Sequence, residues 1–268
     1  MKTILITNQV GIASYAQSSG VDIIMVDLEI LGKKERQNNA NTFITDHKLS
    51  DLKGIRDCLI DAEMLVRINP IHKNSKKEID DILQFNPDFI MLPMFTTANE
   101  VKIFLKYING RAKTVLLFET VGSLCNIDEI IKIQGIDLAY VGLNDLSLEL
   151  KLNFLFELLS GGVVEYFAKK FNDSKINFGF GGISRIDSGV LDPKLILSEH
   201  VRVGSKYVIL SRSFHNNAKN INDLKNTIDL NLEIKKIRDL FNLYSNHDSS
   251  FLEKNKLKLV SQVNNIIG

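Results

Sequence analysis

Glu119 and Asp145 each stand just past a short apolar run, in "TVLLFE" (114–119) and "LAYVGLND" (138–145). A strand that only packs has no use for a charge at its tip, because a buried carboxylate must find a partner. Two hard oxygen donors from neighbouring strands suit Mg2+ or Mn2+, which is typically held by one or two carboxylates with water and substrate in the other positions. The sequence has no His/Cys cluster with zinc-ligand spacing. Asp27 and Glu29 end another apolar run, and Arg67 and Asn69 a further one. The Arg67 guanidinium can bridge a carboxylate or an enolate oxygen. The turn "GLND" (142–145) offers backbone N–H groups to a substrate carboxylate. From chemistry alone the alternative is a set of ion pairs that closes the mouth of a fold without binding anything.

The elements that must position these groups are eight apolar runs: 3–7, 22–29, 64–69, 88–93, 114–119, 138–143, 177–182 and 207–213. Most are continuous rather than alternating, the pattern of strands covered on both faces. Helical patterns lie between them. Ser50 is the expected N-cap of one, Thr residues with Glu100 open another that ends at Gly110, and Asn126 and Gly135 bracket a third. Gly161-Gly162 breaks a fourth, and Asp192 with Pro193 starts a fifth. Eight strand–helix units in 268 residues predict an α/β fold, a (β/α)8 TIM barrel. A doubly wound open sheet is the alternative, weakened because the first turn, "TNQVGIAS", lacks a G-x-G-x-x-G phosphate loop. The barrel is expected over 1–215. Residues 216–268 carry no strand signal and read as a C-terminal helical extension packing on its own or a neighbouring subunit, which makes a homo-oligomer the expectation.

Composition excludes several classes. A formal net charge of +1 gives no electrostatic case for nucleic acid or an anionic membrane as a partner. No run reaches the roughly 18 apolar residues of a membrane span. Cys58 and Cys125 have no metal or redox spacing and read as reduced thiols of a cytoplasmic protein. The opening "MKTILITNQV" reads as a first strand rather than a signal peptide.

Five motifs in order, "VDLE", "LVRINP", "FIMLPM", "ETVGSLCNIDEI" and "GIDLAYVGLNDLS", resemble the HpcH/HpaI aldolase and citrate lyase β-subunit family over about residues 20–150. The resemblance implies a phosphoenolpyruvate/pyruvate-type barrel with Mg2+ or Mn2+ on Glu119 and Asp145. Arg67 corresponds to the enolate-stabilising arginine, and Gly142 and Asn144 to the turn that holds the substrate carboxylate. It further implies reversible carbon–carbon bond making or breaking beside a 2-oxo acid, or at an acyl-CoA thioester. Asp27 and Glu29 would then hold metal-bound water or relay protons.

The chain departs from the family pattern in several places. Where the aldolases carry a basic histidine after D-x-E, and the citrate-lyase branch continues "DLED", this chain has Ile30. Leu117 stands where the aldolases often have Gln. His47, in "TDHK" at the head of the next helix, reads either as an exposed loop histidine or as the replacement base. A barrel that binds a metabolite without turning it over is the non-enzymatic reading. The basic stretch "LGKKERQ" (31–37) is the only nearby candidate for the phosphates of CoA. Gly179, Gly181 and Gly182 with Ser184 and Arg185 read either as an anion-binding nest or as room where the mouth tightens. Arg212 is expected in a substrate clamp or paired with Glu29.

Overall fold

All eight apolar runs become strands: β1 Lys2–Ile6, β2 Ile23–Asp27, β3 Glu63–Arg67, β4 Phe89–Leu92, β5 Lys113–Phe118, β6 Leu138–Val141, β7 Asn177–Ile183 and β8 Tyr207–Leu210. Each pairs in parallel with the next, and β8 pairs with β1, so the sheet closes. The protein is a (β/α)8 TIM barrel with extra C-terminal helices, seen in a computed structural model that describes residues 1–32, 46–215, 218 and 220–268. Several strands stop short of their apolar runs at the C-terminal end. Leu28, Ile68 and Ser211 make the last strand-to-strand bonds, and the residues after them, Glu29, Asn69 and Arg212, leave the sheet and build the mouth.

Strand parity sorts the core into two layers. Ile4, Ile23, Met25, Leu65, Phe89, Met91, Val115, Leu117, Leu138 and Tyr140 fill the barrel interior. Their neighbours in sequence, such as Ile24, Val26, Val66, Leu116 and Val141, face the surrounding helices. With a side-chain period of two, the inward series 23-25 extends to Asp27, 65 to Arg67, 115-117 to Glu119 and 138-140 to Gly142. The uppermost interior layer therefore carries the charged groups, at the end of the barrel where chemistry is found in this fold.

The helices predicted after Ser50, at Ala98–Ile108 and at Pro193–Val203 form, whereas Val10–Ser18 and Leu143–Glu149 are helices where the sequence showed turns. Thr97 and Glu100 form a reciprocal capping box on Ala98–Ile108, and Asn109 takes the left-handed conformation that ends it. Ser50 makes no capping bond on Asp51–Cys58. The Asp51 carboxylate does the local work instead, accepting from Lys48 N at 2.9 Å and from Asn8 Nδ2 at 2.8 Å. The helix expected after Asn126 is only Ile127–Ile130, and Asn126 makes no capping bond on it, its amide nitrogen donating instead to Thr96 O at 2.8 Å. Among the described residues no helix is long and apolar enough to cross a membrane.

The C-terminal helices Leu230–Ser245 and Ser249–Ile267 lie against the barrel helix Pro193–Val203 of the same chain. Ile234, Ile237, Leu259 and Val263 are buried there. A polar seam backs them: Asn255 Nδ2 donates to Ser198 Oγ at 3.1 Å, and Arg202 bridges Glu199, Glu165 and Glu253. Arg238 reaches the turn before β2, donating to Asp22 Oδ2 at 2.8 Å.

His200, on the barrel helix Pro193–Val203, is fully buried, stacked on Phe180 with ring centroids 3.7 Å apart, and shares a hydrogen with Ser205 Oγ at 2.8 Å. Burial pushes its pKa down to about 3. An unfolded chain would take up that proton below pH 6.5, whereas the fold resists it, so stability is full above 6.5 and lost as pH falls toward about 3. The expected slope for this group is roughly 1.4 kcal/mol per pH unit. Urea unfolding between neutral and mildly acidic pH should show it, and His200→Gln should flatten the slope even though it lowers the plateau.

Candidate active site

Asp27 and Arg67 are register partners across β2 and β3. That adjacency produces a two-pronged ion pair: Arg67 Nε donates to Asp27 Oδ1 and Nη2 to Asp27 Oδ2, both at 2.8 Å. Glu29 Oε2 lies 3.5 Å from the same Nη2. The Asp27 side chain is 2% exposed, and the guanidinium is driven further from deprotonation by Asp27, Glu29 and Glu119, which together outweigh its burial. Both Asp27 oxygens are thus engaged in aiming Arg67. Glu29 is equally buried and is not part of the cavity wall. The path of the chain past Glu29 is set by Asn69, whose Oδ1 accepts from Ile30 N at 2.8 Å and Leu31 N at 2.9 Å. Ile30 is turned out, 66% exposed.

Arg67 and Glu119 face a cavity of about 990 Å3 at the C-terminal ends of the strands. Asp27, Gly142, Asn144, Asp145, Arg212 and His47 also line it, with Gly181 and Gly182, whereas Glu29 and, of the candidate anion nest, Gly179, Ser184 and Arg185 do not. Residues 33–37 of the basic stretch expected to meet CoA phosphates lie outside the described residues.

Glu119 is 3% exposed, and Oε1 accepts from Met94 N at 3.2 Å. Burial raises its pKa well above the ordinary carboxylate range. Arg67 opposes that rise, and the negative charges of Asp145 and Glu29 add to it. Asp145 sits in the first turn of the helix Leu143–Glu149, which begins directly after β6. Between the two acids lies Gly142, whose N–H bonds Phe118 O at 3.0 Å. A Cβ at Gly142 would stand 2.7 Å from Glu119 Oε2 and 2.8 Å from Glu119 Cβ, so glycine is what lets the carboxylate occupy this place.

These residues fit a divalent cation. A buried carboxyl whose ionisation is opposed by a second acid is the situation a bound cation relieves. Among the described residues no group of three or more His, Cys, Asp or Glu forms a ligand cage. A donor set of two carboxylates, completed by water and substrate, matches Mg2+ or Mn2+ rather than a closed zinc site.

The glycines after β6 have steric reasons of their own. The β7–β8 register shifts between Gly179 and Gly182, a bulge that breaks the ladder. Tyr140 rises from the barrel floor into the gap, accepting from Ile209 N at 2.7 Å and donating to Gly181 O at 2.6 Å. A Cβ on Gly179 would meet the Tyr140 ring at 2.6 Å, and one on Gly181 would meet Leu143 at 2.6 Å. These contacts support the reading of glycines as room at a tightening mouth. Sequence reasoning missed Tyr140. The available signal was a hydroxyl in a fully apolar strand, since a buried tyrosine O–H requires a partner.

Gly142→Ala should displace the Glu119 carboxylate and weaken Mn2+ binding at least about tenfold, as buried first-row ligands depend on their supports; isothermal titration with Mn2+ would measure it. Tyr140→Phe should cost about 1 kcal/mol in urea unfolding, because it strips the partner from a part-buried N–H and a part-buried carbonyl at once.

A search of curated protein sequences finds no match. The barrel is similar to the crystal structure of an HpcH/HpaI aldolase from Desulfitobacterium hafniense DCB-2, at 14% identity and a TM-score of 0.58, over 78% of this chain and 85% of that one. At that identity the likeness speaks for the fold. The sequence model of the family described as HpcH/HpaI aldolase/citrate lyase matches residues 5–154, more than half of the chain, including Asp27, Arg67, Glu119 and Asp145. The chain therefore belongs to the HpcH/HpaI aldolase/citrate lyase family.

Proposed function

We propose that this chain is a divalent-metal-dependent carbon–carbon lyase acting through the enolate of pyruvate or a related 2-oxo acid. The observation that carries this reading is the convergence of Glu119, Asp145 and Arg67 on one cavity, with Glu119 buried under the field of a second acid. In this reading Glu119 and Asp145 hold Mg2+ or Mn2+. The bound ion supplies Lewis-acid stabilisation to a substrate oxygen.

The chain's own groups do the rest. Arg67 places a fixed positive charge where negative charge builds on oxygen. Because Asp27 and Glu29 already hold the guanidinium, little reorganisation is required as the reaction proceeds. We assign Asp27 and Glu29 as positioning residues on this ground. The Gly142 N–H is already given to Phe118 O, so the first-turn amides of Leu143 and Asn144 receive the substrate carboxylate, and Arg212, on the β8 side of the cavity, meets its distal part.

The test is exchange of the pyruvate methyl protons in D2O, followed by 1H NMR. Exchange is expected with Mg2+ or Mn2+ and should stop on chelation. Glu119→Gln should slow it about 100-fold or more, the scale of losing a charge-stabilising group. No exchange by the native chain with either metal, or an undiminished rate in Glu119→Gln, would count against the proposal.

A further inference from the structure

Met94 has a positive φ of 54°. Left-handed backbone is uncommon for a residue with a side chain, and it persists only where the surrounding structure enforces it. Among the described residues four others with side chains adopt it: Asn86, Asn109, Lys151 and Lys175. All four are exposed and stand just past the end of a helix, where a left-handed residue is an ordinary stop. Met94 is different. It lies between β4, which ends at Leu92, and the helix Ala98–Ile108, on the mouth side of the barrel. No helix ends there, so the strain has another reason.

The chain on either side of it is pinned. Pro93 fixes its own φ. Phe95 is buried and packs edge-on against Phe118, with centroids 5.1 Å apart. Its carbonyl accepts from Thr120 Oγ1 at 2.7 Å. The N–H groups of Thr96 and Thr97 are both held by Glu100 Oε2, at 3.0 and 2.9 Å. Gly122 lets this loop lie close, since a Cβ there would meet Thr96 Cβ at 2.6 Å. Phe95 thus grips the residues before and after Glu119, and Met94 is the link that must turn to join it to β4. The turn aims the Met94 N–H at Glu119 Oε1, 3.2 Å away. The other carboxylate oxygen, Oε2, lies against Gly142, which opens the helix that carries Asp145.

We infer that Met94 is a positioning residue for the metal: its strained backbone delivers an N–H to Glu119 Oε1, which fixes the rotation of the carboxylate and leaves Oε2 as the oxygen offered to the cation. The bond is made by main chain, so the position needs a conformation rather than a side chain. Partners that orient a ligand in this way govern metal affinity nearly as strongly as the ligand itself. The inference rests on the reading of Glu119 and Asp145 as metal ligands and adds how the first of them is aimed.

Substitution separates conformation from side chain. A β-branched residue is poorly tolerated at positive φ, so Met94→Val should turn the N–H away and weaken Mn2+ binding about tenfold in isothermal titration. Met94→Gly is the conservative variant for the backbone, since it keeps the N–H and removes the strain. It should bind Mn2+ as the native chain does and raise the thermal midpoint by about 2–4 °C. Asn109→Val puts the same residue at a left-handed helix end away from the mouth. It should lower the midpoint without moving Mn2+ affinity, whereas circular dichroism reports whether each variant is folded. Should Met94→Val not fold, hydrogen exchange decides. The Met94 amide should exchange slowly in the native chain and about tenfold faster or more in Glu119→Ala, which removes its acceptor. Native affinity in folded Met94→Val, weakened affinity in Met94→Gly, or a Met94 amide indifferent to Glu119→Ala would each overturn the inference. Failure of the native chain to bind Mn2+ sinks the metal reading instead, and it is seen before any variant is compared.

Discussion

The pairing of Asp27 with Arg67 is the constraint around which the mouth of this barrel is arranged. It is set by backbone register, since the two residues lie opposite each other on adjacent strands. Burying a guanidinium with a single carboxylate is expensive unless its hydrogens are satisfied. Here two bonds go to Asp27, and Glu29 adds charge from the same side. The result is a cation whose direction is fixed before any ligand arrives. Glu119, across the interior, is coupled to it through space, because Arg67 is the main influence opposing the desolvation of that acid. The electrostatics of the site are therefore one system of coupled charges.

The rest of the barrel supplies room and rigidity for that system. Two positions do this by having no side chain: Gly142 admits the Glu119 carboxylate, and Gly179 admits the Tyr140 ring. The outer layer supplies stiffness. Phe118, one residue before Glu119, packs edge-on against Phe95 and Phe167 with centroids 5.1 and 5.6 Å away. The backbone that carries the acid is thus clamped by aromatic contacts on its far face, where the apolar periodicity of 163–173 places Phe167 and Phe171.

Much of this was legible in the sequence, and the reasons are particular. Continuous apolar runs marked all eight strands, because parallel strands covered on both faces have no polar side to show. Asp27, Arg67 and Glu119 were recognisable because a charge ending such a run, with period-two parity, must enter the interior layer. The family motifs pointed the same way, and the family model agrees. What escaped depends on paths outside regular elements. Nothing in the spacing of His47 indicates that it returns to the end of β2, where its Nδ1 accepts from Asp27 N at 2.9 Å. Glu29 has inward parity, yet it stands beyond the last ladder residue and is swallowed behind Arg67. Ser50 looked like a cap, but Asp51 beside it is the stronger acceptor for the nearby donors. The bulge in β7 was likewise invisible, since its cause sits on a different strand.

That bulge constrains positions 140 and 179 from different sides. With tyrosine at 140, any larger residue at 179 collides with the ring or with Tyr207 O. With a residue lacking the hydroxyl at 140, Ile209 N–H and Gly181 C=O lose their shared bridge. The dependence runs one way: the Tyr207 carbonyl, 2.5 Å from a Cβ at 179, holds that position to glycine whatever stands at 140, and the space so left open is what the tyrosine ring fills.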